Sequence, residues 1–109
     1  MWLEALRSGK YKQGKEKLRQ RDKKSHRHVY CCLGVLCDLY IQEVGGVAWT
    51  KEGRLDEDGD FLPKRVRDWA KLPSSPTVKH NGKVWALADI NDQLDMPFQA
   101  IAYIIDEMM

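Results

Sequence analysis

From Cys32 to Val44 apolar side chains recur at helical spacing: Leu33, Leu36, Cys37, Tyr40 and Val44 fall at i, i+3, i+4, i+7 and i+11. Val35, Leu39 and Ile41 widen that face until only Gly34, Asp38 and Gln42 remain as a polar stripe. A helix apolar nearly all round belongs at the centre of a domain. Gly45 and Gly46 then supply the positive-φ residues that end it. Residues 2–7, "WLEALR", predict a short helix stopped at Ser8-Gly9, with Trp2, Leu3 and Leu6 inward. A third helix opens at Pro63, buries Leu62, Val66, Trp69 and Ala70, and closes at Pro73.

Strand patterning is strongest in "TVKHNGKVWA", residues 77–86. Asn81-Gly82 fits a two-residue type I′ turn, which pairs His80 with Lys83 and Val78 with Trp85. "LADIND" then gives a helical turn, and Asp95 with Pro97 starts a last helix whose inner face is Phe98, Ile101, Ala102 and Ile105. The segment from Lys10 to His28 has few apolar anchors, Tyr11 and Leu18, followed by Val29. It reads as an extended basic hairpin or mobile loop with its tip near "RDKKSH", rising into a strand at "RHVYC". The expected fold class is α+β: a small antiparallel β-sheet, including the hairpin at about 77–86, packed with about four helices around the central buried helix at 32–44. At 109 residues the chain is expected to form a single domain, 1–109, with the basic arm at about 10–28.

Charge changes this picture. The net charge of +2 hides an asymmetry: from Arg7 to Arg27 ten Lys or Arg stand against Glu16 and Asp22, a net of +8, and the remaining eight basic and fourteen acidic residues give −6. Such a segment suits an anionic partner or the chain's own acidic face. The expected binding surface comprises Lys10, Lys12, Lys15, Lys17, Arg19, Arg21, Lys23, Lys24 and Arg27, joined by Trp49, which lies close to Gly45-Gly46. No run approaches the roughly 18 apolar residues of a membrane span. The start, "MWLEALRSGK", lacks a signal peptide's basic start and apolar centre, so the expectation is a cytoplasmic protein with no membrane partner.

The densest chemistry lies in "HRHVYCCLGVLCDLY", residues 26–40. His26, His28, Cys31 and Cys32 are the weak candidates for a metal. Four ligands must converge tetrahedrally on zinc, whereas in a strand Cys31 points away from the face shared by His26, His28 and Cys32. No metal and no cofactor is therefore expected. Three cysteines cannot all pair and read as buried thiols. Cys31 or Cys32, at a helix start behind Arg27 and His28, could serve as an activated nucleophile, but no acid or oxyanion arrangement accompanies them, and no catalytic residue is assigned. "LDEDGDF" fails the calcium loop, because Phe61 and Arg67 stand where it needs Gly and Glu. "SGKYKQGK" lacks phosphate-loop spacing. Asp89, Asn91, Asp92 and Asp38 read as capping and solvating groups rather than hydrolytic carboxylates.

Four stretches, "WLEALRSGKYKQG", "YCCLGVLCDLY", "LPKRVRDWAKL" and "ALADINDQLDMPFQAIAYII", together resemble a group of small, mostly uncharacterised bacteriophage proteins. That group runs from an "ALRSGKYKQ" start through a "YCCLGVLCDL" helix to an "LA.LND...F..IA..I" end. The resemblance covers most of the chain and departs at "RDKKSHRH" and "DQLDMPF". It implies viral origin and a stoichiometric accessory role, and it carries no catalytic residues.

The leading expectation is therefore a phage-encoded, non-catalytic protein acting in the host-cell cytoplasm. It would bind and inhibit a host protein or protein–nucleic acid complex, in the manner of an anti-defence (anti-CRISPR-like) inhibitor, through its basic surface. The alternative is direct nucleic-acid binding by the same segment, with salt-sensitive affinity. A small enzyme using Cys31 or Cys32 is third.

Overall fold

The computed structural model describes residues 1–55, 62–73 and 76–108. Their element order is α1 (Trp2–Arg7), β1 (Arg19–Arg21), β2 (His28–Tyr30), α2 (Cys32–Glu43), α3 (Lys64–Ala70), β3 (Thr77–His80), β4 (Lys83–Ala86), α4 (Leu87–Asp92) and α5 (Phe98–Met108). The α+β class stands, with two refinements. Five helices form among the described residues, one more than the periodicity suggested, because "LADIND" completes a helix of its own. The strands make two separate two-stranded antiparallel sheets rather than one.

The core is built on α2, whose Cys32, Val35 and Cys37 are fully buried. It packs with Leu6 of α1, Val66 of α3, Leu87 and Ile90 of α4, and the inner face of α5. Phe98, Ile101, Ala102 and Ile105 all lie inside, as their spacing required. Burying each large member of that row stabilises the fold by about 1.5–3 kcal/mol. Val44 departs from the expected face: it is 53% exposed, because α2 ends at Glu43 and the chain leaves through Gly45 and Gly46 at φ +77° and +81°. Helix α3 likewise stops before Pro73, at Lys71, which takes a left-handed conformation with φ 59°.

The β3–β4 hairpin has the expected register, His80 to Lys83 and Val78 to Trp85. Asn81 and Gly82 both have positive φ, as a type I′ turn demands. The β1–β2 hairpin pairs Arg19 with Tyr30, Gln20 with Val29 and Arg21 with His28.

Most of the supposed polar stripe of α2 is covered. At Gly34 the backbone of the basic segment lies directly on the helix: a Cβ built there would sit 1.7 Å from the Leu18 carbonyl oxygen. The same carbonyl accepts the Cys31 amide at 3.3 Å, and the Leu18 side chain is buried. Gly34 is thus required for close approach of two backbones, which neither helical spacing nor composition reveals.

This contact gives opposing expectations for Gly34→Ala. Helix propensity alone favours alanine by about 1 kcal/mol. Overpacking against a backbone that cannot rotate away costs about 1–3 kcal/mol or more. The second effect wins here, so the urea midpoint falls; a raised midpoint would show that Leu18 does not lie on α2.

Candidate functional site

Three pieces of chain assemble around the polar edge of α2. The first is the segment 11–18. The Tyr11 hydroxyl donates to Asp38 Oδ2 at 2.7 Å, and Gln42 Nε2 donates to the same oxygen at 2.8 Å. Gln13 Nε2 donates to Asn91 Oδ1 at 2.8 Å and to the Met96 carbonyl at 2.6 Å. Asn91, the buried polar residue of the core, returns a bond from Nδ2 to the Gly14 carbonyl at 2.8 Å. Asp92 Oδ1 accepts the Glu16 amide at 3.0 Å, and Lys15 forms an ion pair with Asp95. The chain's own acidic face therefore takes up part of the basic segment. Asn91 and Asp92 act as clamps on this segment rather than as the helix-capping, solvating groups expected: Asn91 is fully buried, and α4 starts after Ala86 without a side-chain cap.

The second piece is the β1–β2 hairpin. Gly14 donates to the Tyr30 carbonyl at 2.7 Å, and Tyr30 donates to the Lys12 carbonyl at 2.9 Å, forming a parallel bridge between Gln13 and Tyr30. Segment 10–28 is thus divided: residues 11–18 are sewn to the body, and residues 19–30 form the projecting hairpin. Its tip is organised by Asp22, whose Oδ2 accepts the Ser25 amide at 3.1 Å and the Ser25 hydroxyl at 2.7 Å. The Asp22 carbonyl accepts the His26 amide at 2.9 Å, and His26 sits at φ 59°. Lys23, Lys24 and Arg27 are displayed on this turn, fully outside the core. Lys17, Lys23, Lys24 and Arg27 have no carboxylate within ion-pair distance among the described residues, whereas Lys12 lies 3.9 Å from Asp22.

The third piece carries Trp49. Its indole N–H donates to Asp38 Oδ1 at 3.0 Å, so one carboxylate holds Tyr11, Gln42 and Trp49 together. Trp49 is half-buried, meets Tyr30 edge-on at 6.2 Å and carries the Arg19 guanidinium 5.0 Å from its ring centroid. Burial, followed by Asp38, raises the pKa of both Tyr11 and Tyr30, keeping the phenols neutral. At Gly53, φ +78°, a Cβ would stand 1.6 Å from the Arg19 carbonyl oxygen, so the turn 50–53 is pressed onto β1. Between this turn and the hairpin lies a cleft of about 310 Å³ lined by Arg19, Gln20, Arg21, His28, Trp49, Thr50, Lys51 and Gly53.

The nominated surface is thus brought together in part. Arg19, Arg21 and Trp49 line the cleft, Lys23, Lys24 and Arg27 stand on the tip, and Lys15 is taken up by Asp95. Lys10 lies beyond the end of α1 and belongs to neither group; its amide donates to the Ser8 hydroxyl at 3.1 Å. His28 and Lys51 were missing from the predicted surface, although both line the cleft. The alternation of Arg19 with Arg21 was the available signal, since strand pairing sets His28 opposite Arg21 on the same face.

The metal candidates separate by environment. His26 and His28 are exposed, while Cys31 and Cys32 are buried. No group of three His, Cys, Asp or Glu side chains that could hold a metal occurs among the described residues. Cys31 caps α2, its Sγ accepting the Gly34 amide at 3.4 Å, and burial pushes its thiol up to about 11. Burial also raises Cys32 well above the ordinary thiol value. Both changes oppose thiolate formation. The expected acidic turn at 56–61 lies outside the described residues. No helix among the described residues is long and apolar enough to cross a membrane.

Residues 1–109 match the model of a family described as Domain of unknown function (DUF8296). No curated protein and no solved structure matches the chain.

Two outcomes follow from these environments. All three cysteines resist iodoacetamide in the native protein at mildly alkaline pH and react on denaturation; rapid native labelling of Cys31 would contradict its burial. At the tip, the hydrogen bonds from Ser25 hold the Asp22 carboxyl below its ordinary value. A depressed acid stabilises the structure fully above its unfolded-state value and loses that contribution as pH falls through the folded value. Protection of the Ser25 and His26 amides, taken relative to their intrinsic exchange rates, should therefore fall on acidification in the wild type but be low and insensitive to this titration in Asp22→Ala.

Proposed function

We propose that this chain, which belongs to the family described as Domain of unknown function (DUF8296), is a phage-encoded, non-catalytic binding protein. It inhibits a host factor in the host-cell cytoplasm by docking the β1–β2 hairpin on an acidic protein surface. An anti-defence, anti-CRISPR-like role is the form of this activity that suits a small stoichiometric protein.

The observation that carries this reading is the hairpin tip. Lys23, Lys24 and Arg27 are displayed together, while the turn beneath them is fixed by Asp22 and Ser25. Cations held on a preorganised turn lose less conformational freedom on binding than cations on a loose loop. They also steer association with an anionic partner. The phage origin rests on the resemblance carried by "YCCLGVLCDLY" and the two terminal motifs.

Direct nucleic-acid binding is the second reading, favoured by Arg19 stacked on Trp49 beside further cations. Aromatic rings interleaved with positive charge suit single strands. It predicts affinity that falls steeply with salt.

The test is capture from host lysate by wild-type protein and by the quadruple variant Lys17→Glu, Lys23→Glu, Lys24→Glu, Arg27→Glu. None of these four side chains holds an ion pair among the described residues, so the variant keeps its fold and circular dichroism spectrum. The wild type retains a protein after nuclease treatment and the variant loses it. Equal capture by both would overturn the surface assignment. Capture abolished by nuclease alone would favour the second reading.

A further inference from the structure

We propose that the cleft between the β1–β2 hairpin and the turn 50–53 is a binding site for a phosphate monoester, its charged group held by Arg19, Arg21, Lys51 and His28. This goes beyond the docking reading, which rests on the exposed tip, and holds independently of it.

The hairpin register is what gathers the charge. Arg19 and Arg21 alternate along β1, and their partners across the ladder are Tyr30 and His28, so all four side chains share one face. The opposite face is the core side, where Val29 is buried. Lys51 is added from the neighbouring turn, which Gly53 allows to press onto the Arg19 backbone.

Three permanent cations thus border one cavity. Among the described residues none of them lies within ion-pair distance of a carboxylate. Like charges gathered without counter-charge oppose folding unless something offsets them, and a dianion in the cleft would do so. His28 responds to this field: burial, then Arg19 and Arg21, lower its pKa, and only Asp38 acts the other way. Asp38 is already engaged by Tyr11, Gln42 and Trp49.

A phosphate monoester fits better than a carboxylate. It carries nearly two negative charges at neutral pH and offers three acceptor oxygens, matching several donors rather than one. An arginine stacked on an aromatic face is held flat while its edge remains able to make paired hydrogen bonds to an oxyanion. The Trp49 ring provides that support for Arg19 and is itself fixed through Asp38. The volume of about 310 Å³ lies at the small end of small-molecule sites, roughly 300–1,000 Å³. It exceeds what a bare anion needs and leaves room for a group attached to the phosphate. Two sources share this chemistry: a free nucleotide and the terminal phosphate of a nucleic-acid strand.

Titration of the intact protein at low salt tests the proposal, with His28 followed by its imidazole resonances in NMR and affinity measured by calorimetry. The probes are inorganic phosphate, a nucleoside 5′-monophosphate, and one short oligonucleotide with and without a 5′-phosphate. Inorganic phosphate should shift His28 and raise its titration midpoint, because a bound dianion reverses the field of the arginines. Arg21→Gln should weaken phosphate binding by about tenfold or more, while Lys17→Gln, outside the cleft, leaves it unchanged. Unaltered backbone amide spectra establish that both variants are folded. Tighter binding of the monophosphate than of the 5′-phosphorylated strand assigns the site to free nucleotides; the reverse order, with loss of binding by the 5′-hydroxyl strand, assigns it to strand ends. An unmoved His28 at millimolar phosphate overturns the site, as does equal weakening by Lys17→Gln, which would mark diffuse attraction. No macromolecular partner is present, so failure here is distinct from failure of the capture experiment.

Discussion

The surface of this protein depends on how the one polar edge of its central helix is used. Gly34, Asp38 and Gln42 interrupt an otherwise apolar α2, and together they receive three other parts of the chain. Gly34 lets the Leu18 backbone lie against the helix. Asp38 and Gln42 fix Tyr11, and Asp38 also orients Trp49. A partly buried carboxylate that accepts several hydrogen bonds is well satisfied, and removing it would leave those donors without a partner. The charged hairpin is consequently an extension of the core: α2 holds Tyr11 and Trp49, these flank Tyr30, and Tyr30 belongs to β2.

This organisation separates two kinds of positive charge that look alike in the sequence. Lys15 is spent internally against Asp95, and Arg19 is stacked on Trp49. Lys23, Lys24 and Arg27 remain outward on a turn shaped by Asp22. The first group shapes the surface, and the second is displayed on it. Meanwhile the cysteines that drew attention to residues 26–40 form part of the packing that supports both groups. Their burial opposes the thiolate state that nucleophilic chemistry needs.

Much of the fold was legible from local pattern. The α2 spacing, the Asn81-Gly82 turn and the row from Phe98 to Ile105 each express a single strong rule: helical period, turn conformation and amphipathic packing. The boundaries were less legible. Val44 continued the period but lay past the glycine exit, and Lys71 ended α3 by a left-handed conformation rarely taken by lysine. The site was legible in composition alone. Its geometry depends on contacts between distant residues, such as Gln13 with Asn91 and Gly53 with Arg19, which no local pattern encodes. Gly34 and Asp38 read only as part of a polar stripe, because polarity at helical spacing does not distinguish solvent from another piece of the same chain.

If the α2 edge holds the cationic surface in shape, its central carboxylate must control the hairpin at a distance. The most direct measurement is native-state amide hydrogen exchange on Asp38→Ala beside the wild type. The amides of Gly14 and Tyr30, which bridge the sewn segment to β2, should lose protection together with β1, while α5 and the β3–β4 hairpin keep theirs. Unchanged protection at Gly14 and Tyr30, or a uniform loss across every element, would contradict the account.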